Sequence, residues 1–527
     1  MVSRRHFFFG TLLAGAVPRG GFGSVPSLKA LGFKPFNEKL NIAAIGCGGR
    51  GAQNLSGCAG ENVVALCDVD SARAAETYKR YETAPKYTDF RKMLDKEDKS
   101  IDAVLISTPD HLHATQALWC MQRGKGVYVE KPLTRTPGEA RLLTEAAAKY
   151  KVATQMGNQG YSHEANRTAA EIIWSGEIGH VTEVHASTGA PSWPQGLQQA
   201  PSEASVPDTL DWDLWLGGAQ MRPYSPAYLP FDWRGYFDFG TGPLGDWGIH
   251  VLGPVNLALQ LGAPISVELL SQEGKSKWTF PTRSVLRYDF AARGNMPPVK
   301  IYWYDGLRGS VPSPYKPTGM EDERILPSPN NLVALGRGTP GGGFGGPGGG
   351  GGGPRGGPGG GGPGGGGPGG PPGAAGGGPG GRGPGQGGPR GGPGGPGGFG
   401  TPAPPGALMG NGAVFVGEKG LMATVARGEG VHLLPAEKWK NYKLPPQLLT
   451  RSPGHYQDWI RACKGGEPPC SNFSVAGPFA EWVTLGAIAC HFEGKLEWDS
   501  ARQRFTNNAE ANKYVKPVFR KGWEIKL

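Results

Sequence analysis

The chain has 527 residues, 38% of them hydrophobic, which is enough apolar material for a large core and enough length for two or more domains, and it excludes a wholly disordered protein. Its formal net charge of +10 comes from basic residues scattered along the sequence rather than gathered beside aromatic side chains, so no nucleic-acid partner is expected. The seven cysteines include no CxxC pair and no cysteine–histidine spacing of the structural zinc type, so no metal is expected.

The N-terminus, SRRHFFFGTLLAGAVP, sets Arg4 and Arg5 before an apolar stretch from Phe7 to Val17 that is too short to span a bilayer stably. It reads as an export signal, and the paired arginines resemble a twin-arginine signal, whose pathway carries folded proteins. Residues 1–37 are therefore expected to be signal and linker, with the protein exported to the periplasm and carrying no stable transmembrane span. A membrane-anchoring helix is the alternative, because no clean A-x-A site follows.

From Leu40, short apolar runs (LNIAAIG, NVVALCD, IDAVLIST, GVYVEKP, VATQMGN) alternate with segments of helical spacing, which predicts a doubly wound parallel sheet, a Rossmann domain, over 38–158. The first run enters GCGGRG, with Gly46, Gly48 and Gly51 in G-x-G-x-x-G spacing and Gly49 and Arg50 between them. Such glycines permit a tight turn, a close backbone approach to a pyrophosphate, and close packing of helix on strand. The next strand ends at Asp68, where a carboxylate can accept hydrogen bonds from ribose hydroxyls and repel a 2′-phosphate. NAD is accordingly expected rather than NADP, with Arg50 softening that preference.

Two further strand ends deliver STPDHLH and VEKP to the crevice side of the sheet. Ser107, Thr108, Pro109, His111, His113 and Glu130 are thus candidate cofactor contacts. Lys131, partly desolvated at a strand terminus, is a candidate for moving or polarising a hydroxyl proton. This pairing of a TPxxxH-type segment with EKP resembles the Gfo/Idh/MocA oxidoreductases, and the resemblance places the lysine beside nicotinamide and substrate.

After Gln159 the rhythm changes. A helix candidate (HEANRTAAEIIWSG), alternating strands (HVTEVHAST, SVLRYDFAAR, VKIYWYDG, GAVFVGEKG) and two more helices (GHYQDWIRACKGG, AGPFAEWVTLGAIACHFEG) predict an α+β domain over 159–527 with a mainly antiparallel open sheet. A Gly/Pro tract at about 336–405 lacks a Gly-X-Y period and is expected to be a disordered insertion between two strands. Within this domain GPLGDWGIHVLGP sets Asp246 and His250 four apart, on one helical face. His250 suits a general base because imidazole titrates near neutral pH. The DxGxH form resembles the same family's second motif, and the resemblance implies a catalytic trio of Lys131, Asp246 and His250. Asn158, Trp233, Arg234 and Tyr236 are expected to contact a polyhydroxylated substrate, with Gln159 near the cofactor.

These readings predict hydride transfer to or from a secondary hydroxyl of a sugar, glycoside or cyclitol. A glycoside lyase or hydrolase that keeps NAD bound and passes through a transient keto-sugar is the alternative. A noncatalytic sugar-binding surface protein is a third. The resemblance also implies a homo-oligomer.

Overall fold

The computed structural model describes residues 37–189, 193–306, 315–318 and 411–527. Of the expected signal and linker over 1–37, residues 1–36 lie outside the described residues, as does the Gly/Pro tract.

The N-terminal runs form strands β1 (Asn41–Ile45), β2 (Asn62–Cys67), β3 (Lys86–Tyr87), β4 (Ala103–Ile106), β5 (Gly126–Glu130) and β6 (Thr154–Gly157), paired in the order β3-β2-β1-β4-β5-β6, all parallel. Strands buried on both faces need continuous apolar runs, and β4 and β5 are buried at every position. The order reverses between β1 and β4, which opens a crevice at their carboxyl ends.

Helices α1 (Arg50–Gly57), α2 (Ser71–Arg80), α3 (Phe90–Glu97), α4 (Asp110–Gln122) and α5 (Pro137–Tyr150) cross over between the strands. Local chemistry starts several of them. Asp70 caps α2 through the Arg73 N–H, and Thr136 and Glu139 form a reciprocal capping box on α5 with Pro137 at its first position.

After α6 (Glu164–Trp174), strands β7 (Val181–Thr188), β8 (Ser266–Glu273), β9 (Arg283–Phe290), β10 (Val299–Gly306), β11 (Gly412–Gly417), β12 (Gly420–Val425), β13 (Gly430–Leu434), β14 (Gly494–Asp499) and β15 (Arg504–Phe505) build a second sheet. Its order is β13-β12-β11-β7-β10-β9-β8-β14-β15, antiparallel except where β7 meets β10. The fold class read from the sequence is the one observed. The segment with the expected insertion runs between two strands of this sheet, β10 and β11.

Two late helices tie the sheets together. Helix α9 (His455–Cys463) brings Trp459, fully buried, against Tyr128 of β5. Helix α10 (Phe473–Ala489) packs on α5, β6 and β8, and also on the turn that carries Asp246. That double docking fixes the second motif against the first domain. Helix α7 (Trp212–Leu216) contributes to an aromatic cluster of Trp212, Trp215, Tyr224, Tyr228, Trp233, Tyr236 and Phe239, and helix α8 (Gly253–Ala258) packs on α6.

Candidate active site

The glycine turn fits a dinucleotide phosphate for steric reasons. Gly46 has φ +79°, and a Cβ there would lie 2.8 Å from the Ser107 carbonyl oxygen; a Cβ at Gly51 would lie 1.8 Å from the Gly46 carbonyl oxygen. Helix α1 begins at Arg50 with no capping side chain, so no side chain competes with an anion for its N-terminus, although the Gly51 N–H already donates to the Gly48 carbonyl oxygen at 3.0 Å. Gly51→Ala is expected to weaken NADH binding by about tenfold, or about 1.4 kcal/mol, because backbone must shift. Gly60→Ala, whose methyl meets nothing within 4 Å, should leave it unchanged; fluorescence titration checks both.

Asp68 has a second task beside the expected one. Its carboxylate accepts hydrogen bonds from the N–H groups of Cys47 (2.6 Å) and Gly48 (3.1 Å) at Oδ2 and Asp70 (3.0 Å) at Oδ1, so it also braces the turn, and Oδ1 keeps a further acceptor position. Burial pushes its pKa up, against the pull of those donors. Arg50 departs from the expectation, since its Nε is held by Glu130 at 2.9 Å and Nη1 by Gln53 at 2.8 Å. The cation over the turn is Arg73, which sequence reasoning missed: a Cβ on Gly49 would lie 2.6 Å from its Nη2. Arg73→Ala is expected to lower NADPH affinity roughly tenfold more than NADH affinity, the loss of one charge-assisted hydrogen bond, measured by competitive titration.

The strand-end segments brace each other. Ser107 accepts from Asn54 Nδ2 (2.8 Å), and Thr108 Oγ1 donates to Gln116 (2.7 Å) while Pro109 caps α4. His113 is fully buried with its two ring nitrogens 2.8 Å from the carbonyl oxygens of Pro132 and Thr108; burial lowers its pKa, so the neutral ring donates to one of the two. Glu130 is the hub below them. Its Oε1 takes Arg50 Nε, Asn54 Nδ2 (3.1 Å) and Gln159 Nε2 (3.1 Å), and Oε2 takes the Lys131 N–H (3.2 Å). Burial alone would raise its pKa, yet Arg50, Lys131 and Asn54 hold it below the usual carboxylate range. His111 does not join this layer, because its ring packs on Trp215 and Phe239 with Nε2 3.0 Å from the Trp215 carbonyl oxygen.

Lys131 and Asp246 meet. The ammonium donates to Asp246 Oδ1 at 2.5 Å and to the Asp246 carbonyl oxygen at 2.9 Å. Arg234 adds Nε at 3.2 Å to the same Oδ1 and lies over the Trp233 ring, 4.2 Å from its centroid. Burial opposes ionisation of Asp246, but the two cations carry its pKa below the ordinary value. Asp246 stands in a π-helical turn, Leu244–Gly248, rather than in the regular helix the spacing predicts. Four residues on, His250 is buried, and its Nδ1 has no partner among the described residues. Burial, then Lys131 and Arg427, push its pKa well down and keep it neutral.

Two neighbours were not anticipated. Asp110 is buried, accepts from Thr241 Oγ1 at 2.7 Å, and burial pushes its carboxyl up to about 7 in the field of Arg234 and Lys131. It was visible inside STPDHLH as a carboxylate at a strand end. Arg427, in the turn between β12 and β13, lies 5.5 Å from the Trp247 ring and acts electrostatically on His250. No local motif marks it.

Of the expected substrate contacts, Arg234 reaches the Lys131–Asp246 pair. Asn158 turns inward, accepting from Ser471 Oγ at 2.5 Å, and Gln159 bonds Tyr128 OH at 2.7 Å besides Glu130. Trp233 is the plate under Arg234, and Tyr236 packs edge-on to Tyr228 in the aromatic cluster. Among the described residues no group of side chains could hold a metal ion, and no helix is long and apolar enough to cross a membrane.

Residues 40–158 match the family model described as "Oxidoreductase family, NAD-binding Rossmann fold", and 174–291 match "Oxidoreductase family, C-terminal alpha/beta domain" of the same Gfo/Idh/MocA group. The chain is 29% identical over 191 residues to inositol 2-dehydrogenase 2 of Saccharopolyspora erythraea, covering 34% of this chain and 55% of that protein. It is 29% identical over 175 residues to a glycosyl hydrolase family 109 protein of Solibacter usitatus, covering 30% and 39%. The chain thus spans about half or less of these relatives' own length. The fold is similar to the WlbA dehydrogenase of Bordetella pertussis, solved with NADH and UDP-GlcNAcA, at TM-score 0.50 and 13% identity over 88% of this chain and 99% of that one. Residues 40–158 and 174–291 are thus similar, in turn, to the NAD-binding Rossmann domain and the C-terminal domain of the Gfo/Idh/MocA oxidoreductases.

Proposed function

We propose that the protein is an NAD-dependent oxidoreductase acting on a secondary hydroxyl of a sugar, glycoside or cyclitol. One observation carries the reading. Lys131 has three N–H donors, and two are committed to the carboxylate and carbonyl of Asp246, so its remaining donor is oriented. A hydroxyl oxygen placed there receives a hydrogen bond from a cation that Asp246 holds still. His250, kept neutral by burial and by Lys131, is able to take the hydroxyl proton. Bound NAD supplies the hydride acceptor.

The names of relatives support a polyol substrate, since the Saccharopolyspora protein is named an inositol dehydrogenase. The Solibacter relative favours a second reading, in which a transient ketone acidifies the neighbouring C–H and a glycosidic bond is cleaved with no net NADH. Incubating the protein with NAD and either inositols or aryl glycosides separates the two. Stoichiometric absorbance at the NADH band supports the first, and aglycone release without it the second; neither signal across the panel, with NADH bound tightly, removes both.

We further infer export by the twin-arginine route from SRRHFFFG. Residues 1–37 fused to a folded reporter should carry it to the periplasm, and the Arg4→Lys, Arg5→Lys double variant should not.

A further inference from the structure

The first turn of helix α4 reaches both sides of the Lys131–Asp246 pair. Asp110, its first residue, and His113 stand three apart and share one face of the helix. Asp110 is buried, and its Oδ2 accepts the Thr241 hydroxyl hydrogen at 2.7 Å across 131 residues of sequence. His113 has Nδ1 2.8 Å from the carbonyl oxygen of Pro132, the residue after Lys131. The His111 N–H donates to the Phe239 carbonyl oxygen at 3.2 Å, so backbone also ties the segment before Thr241 to this helix.

Thr241 in turn touches the turn that carries Asp246. Its carbonyl oxygen accepts the Gly245 N–H at 3.3 Å. Gly245 lies so close that a Cβ there would collide with the Thr241 hydroxyl, while standing 3.3 Å from Pro132 Cγ. Gly245 is therefore pinched between the partner of Asp110 and the residue beside Lys131. Asp246 follows it directly, and both its Oδ1 and its carbonyl oxygen take hydrogens from the Lys131 ammonium. A shift of the Thr241 side chain moves the Gly245 backbone, and with it both acceptors of the lysine. The Thr241 hydroxyl is itself buried, where an unmade hydrogen bond is costly, so the Asp110 acceptor fixes its rotamer.

We propose that Asp110 is a positioning residue: through the Thr241 hydroxyl it sets the turn at Asp246 and so aims the Lys131 ammonium. Its effect on turnover rests on the role proposed for Lys131 above, and a measurement without substrate keeps the two separable. Thr241 is the residue to vary, because changing Asp110 also removes a carboxyl from the field of Arg234 and Lys131.

Thr241→Val keeps the shape and deletes the donor. Its kcat is expected to fall about tenfold, with KM and NADH affinity within about twofold, and Thr241→Ser, which returns the hydroxyl, should recover most of the loss. In a Lys131→Met background Thr241→Val should cost no further turnover, because the group it aims is gone. Acetic anhydride labelling followed by peptide mass spectrometry reads the lysine directly. Thr241→Val should speed acetylation of Lys131 about fivefold and leave Lys464, held by Glu61 at 2.9 Å, unchanged. Turnover of Thr241→Val within about twofold of the original, no recovery in Thr241→Ser, a full further loss on top of Lys131→Met, unchanged acetylation of Lys131, or equal acceleration at Lys464 would each overturn the proposal. Absence of polyol turnover in the unaltered protein would count against the dehydrogenase reading, and the acetylation comparison would then decide the positioning role alone.

Discussion

Lys131→Met is expected to lower kcat by roughly 10²- to 10⁴-fold while NADH binding stays close to that of the unaltered protein. Methionine approximates the length of the lysine stem and removes the donor that Asp246 orients. The split between turnover and cofactor affinity follows from where the charges sit. The Glu130 hub is held by Arg50, Asn54 and Gln159 and the glycine turn by Asp68, so losing the ammonium disturbs the reacting end. Asp246 then keeps only Arg234, and its carboxyl rises from the depressed value that Lys131 helps maintain. Asp246→Asn makes the converse test. It leaves the ammonium without its charged partner, so kcat should fall less than in Lys131→Met and its pH profile should shift, because the charge that steadies Lys131 is gone. A Lys131→Met enzyme within about threefold of the original turnover would remove the lysine from the proposed chemistry.

What the sequence showed and what it hid divide along the range of the interaction. Continuous apolar runs ending in glycine or STP marked the parallel strands, because a strand buried on both faces must be apolar throughout. The requirement for glycine at Gly51 was also local, since the colliding atom belongs to Gly46, five residues away. Lys131 and Asp246 stand 115 residues apart, and the resemblance rather than any spacing brought them together. Arg50 misled for a related reason: it lies inside the turn, but Glu130, 80 residues on, claims its guanidinium. Asp68 had a ribose as its expected partner, and the backbone N–H groups that also bond it point inward only once the turn has formed. Composition could not separate a contacting tryptophan from a packing one, so Trp233 and Tyr236 were read as ligand contacts when the aromatic cluster takes them. The π turn at Leu244–Gly248 keeps Asp246 and His250 within one turn of each other but changes their angular offset, which a four-residue spacing does not reveal.

Acid should destabilise the fold between pH 6.5 and about 5, and replacing His455 should make that loss shallower. His111, His250 and His455 are buried, and burial drives their pKa down, to about 3 for His111 and His455. In the unfolded chain each takes a proton near its ordinary value of about 6.5. Below that pH the unfolded state therefore binds more protons than the folded one, and stability falls as pH falls until the folded values are reached. Each such group contributes a slope of up to about 1.4 kcal/mol per pH unit, so the three give about 4. The carboxyls of Asp110 and Asp305, pushed up to about 7 and about 6 by burial, act with opposite sign because the folded state holds their protons first. His113, His163, His185 and His491, also lowered by burial, add to the histidine side, and Asp68, Glu139, Glu429 and Glu481, also raised by burial, add to the offset; seven histidines against six carboxyls among the described residues leave a net loss on acidification. Urea midpoints at pH 7.5 and 5.5 measure it. His455→Gln can still pair with Ser162, which bonds the imidazole Nδ1 at 2.7 Å, but has nothing to protonate. The variant starts less stable at pH 7.5, and its loss between pH 7.5 and 5.5 should be smaller by about 1.4 kcal/mol in total. Parallel pH curves for the two proteins would mean that His455 already carries its proton in the folded state, and that its burial is offset by the nearby charge of Glu130.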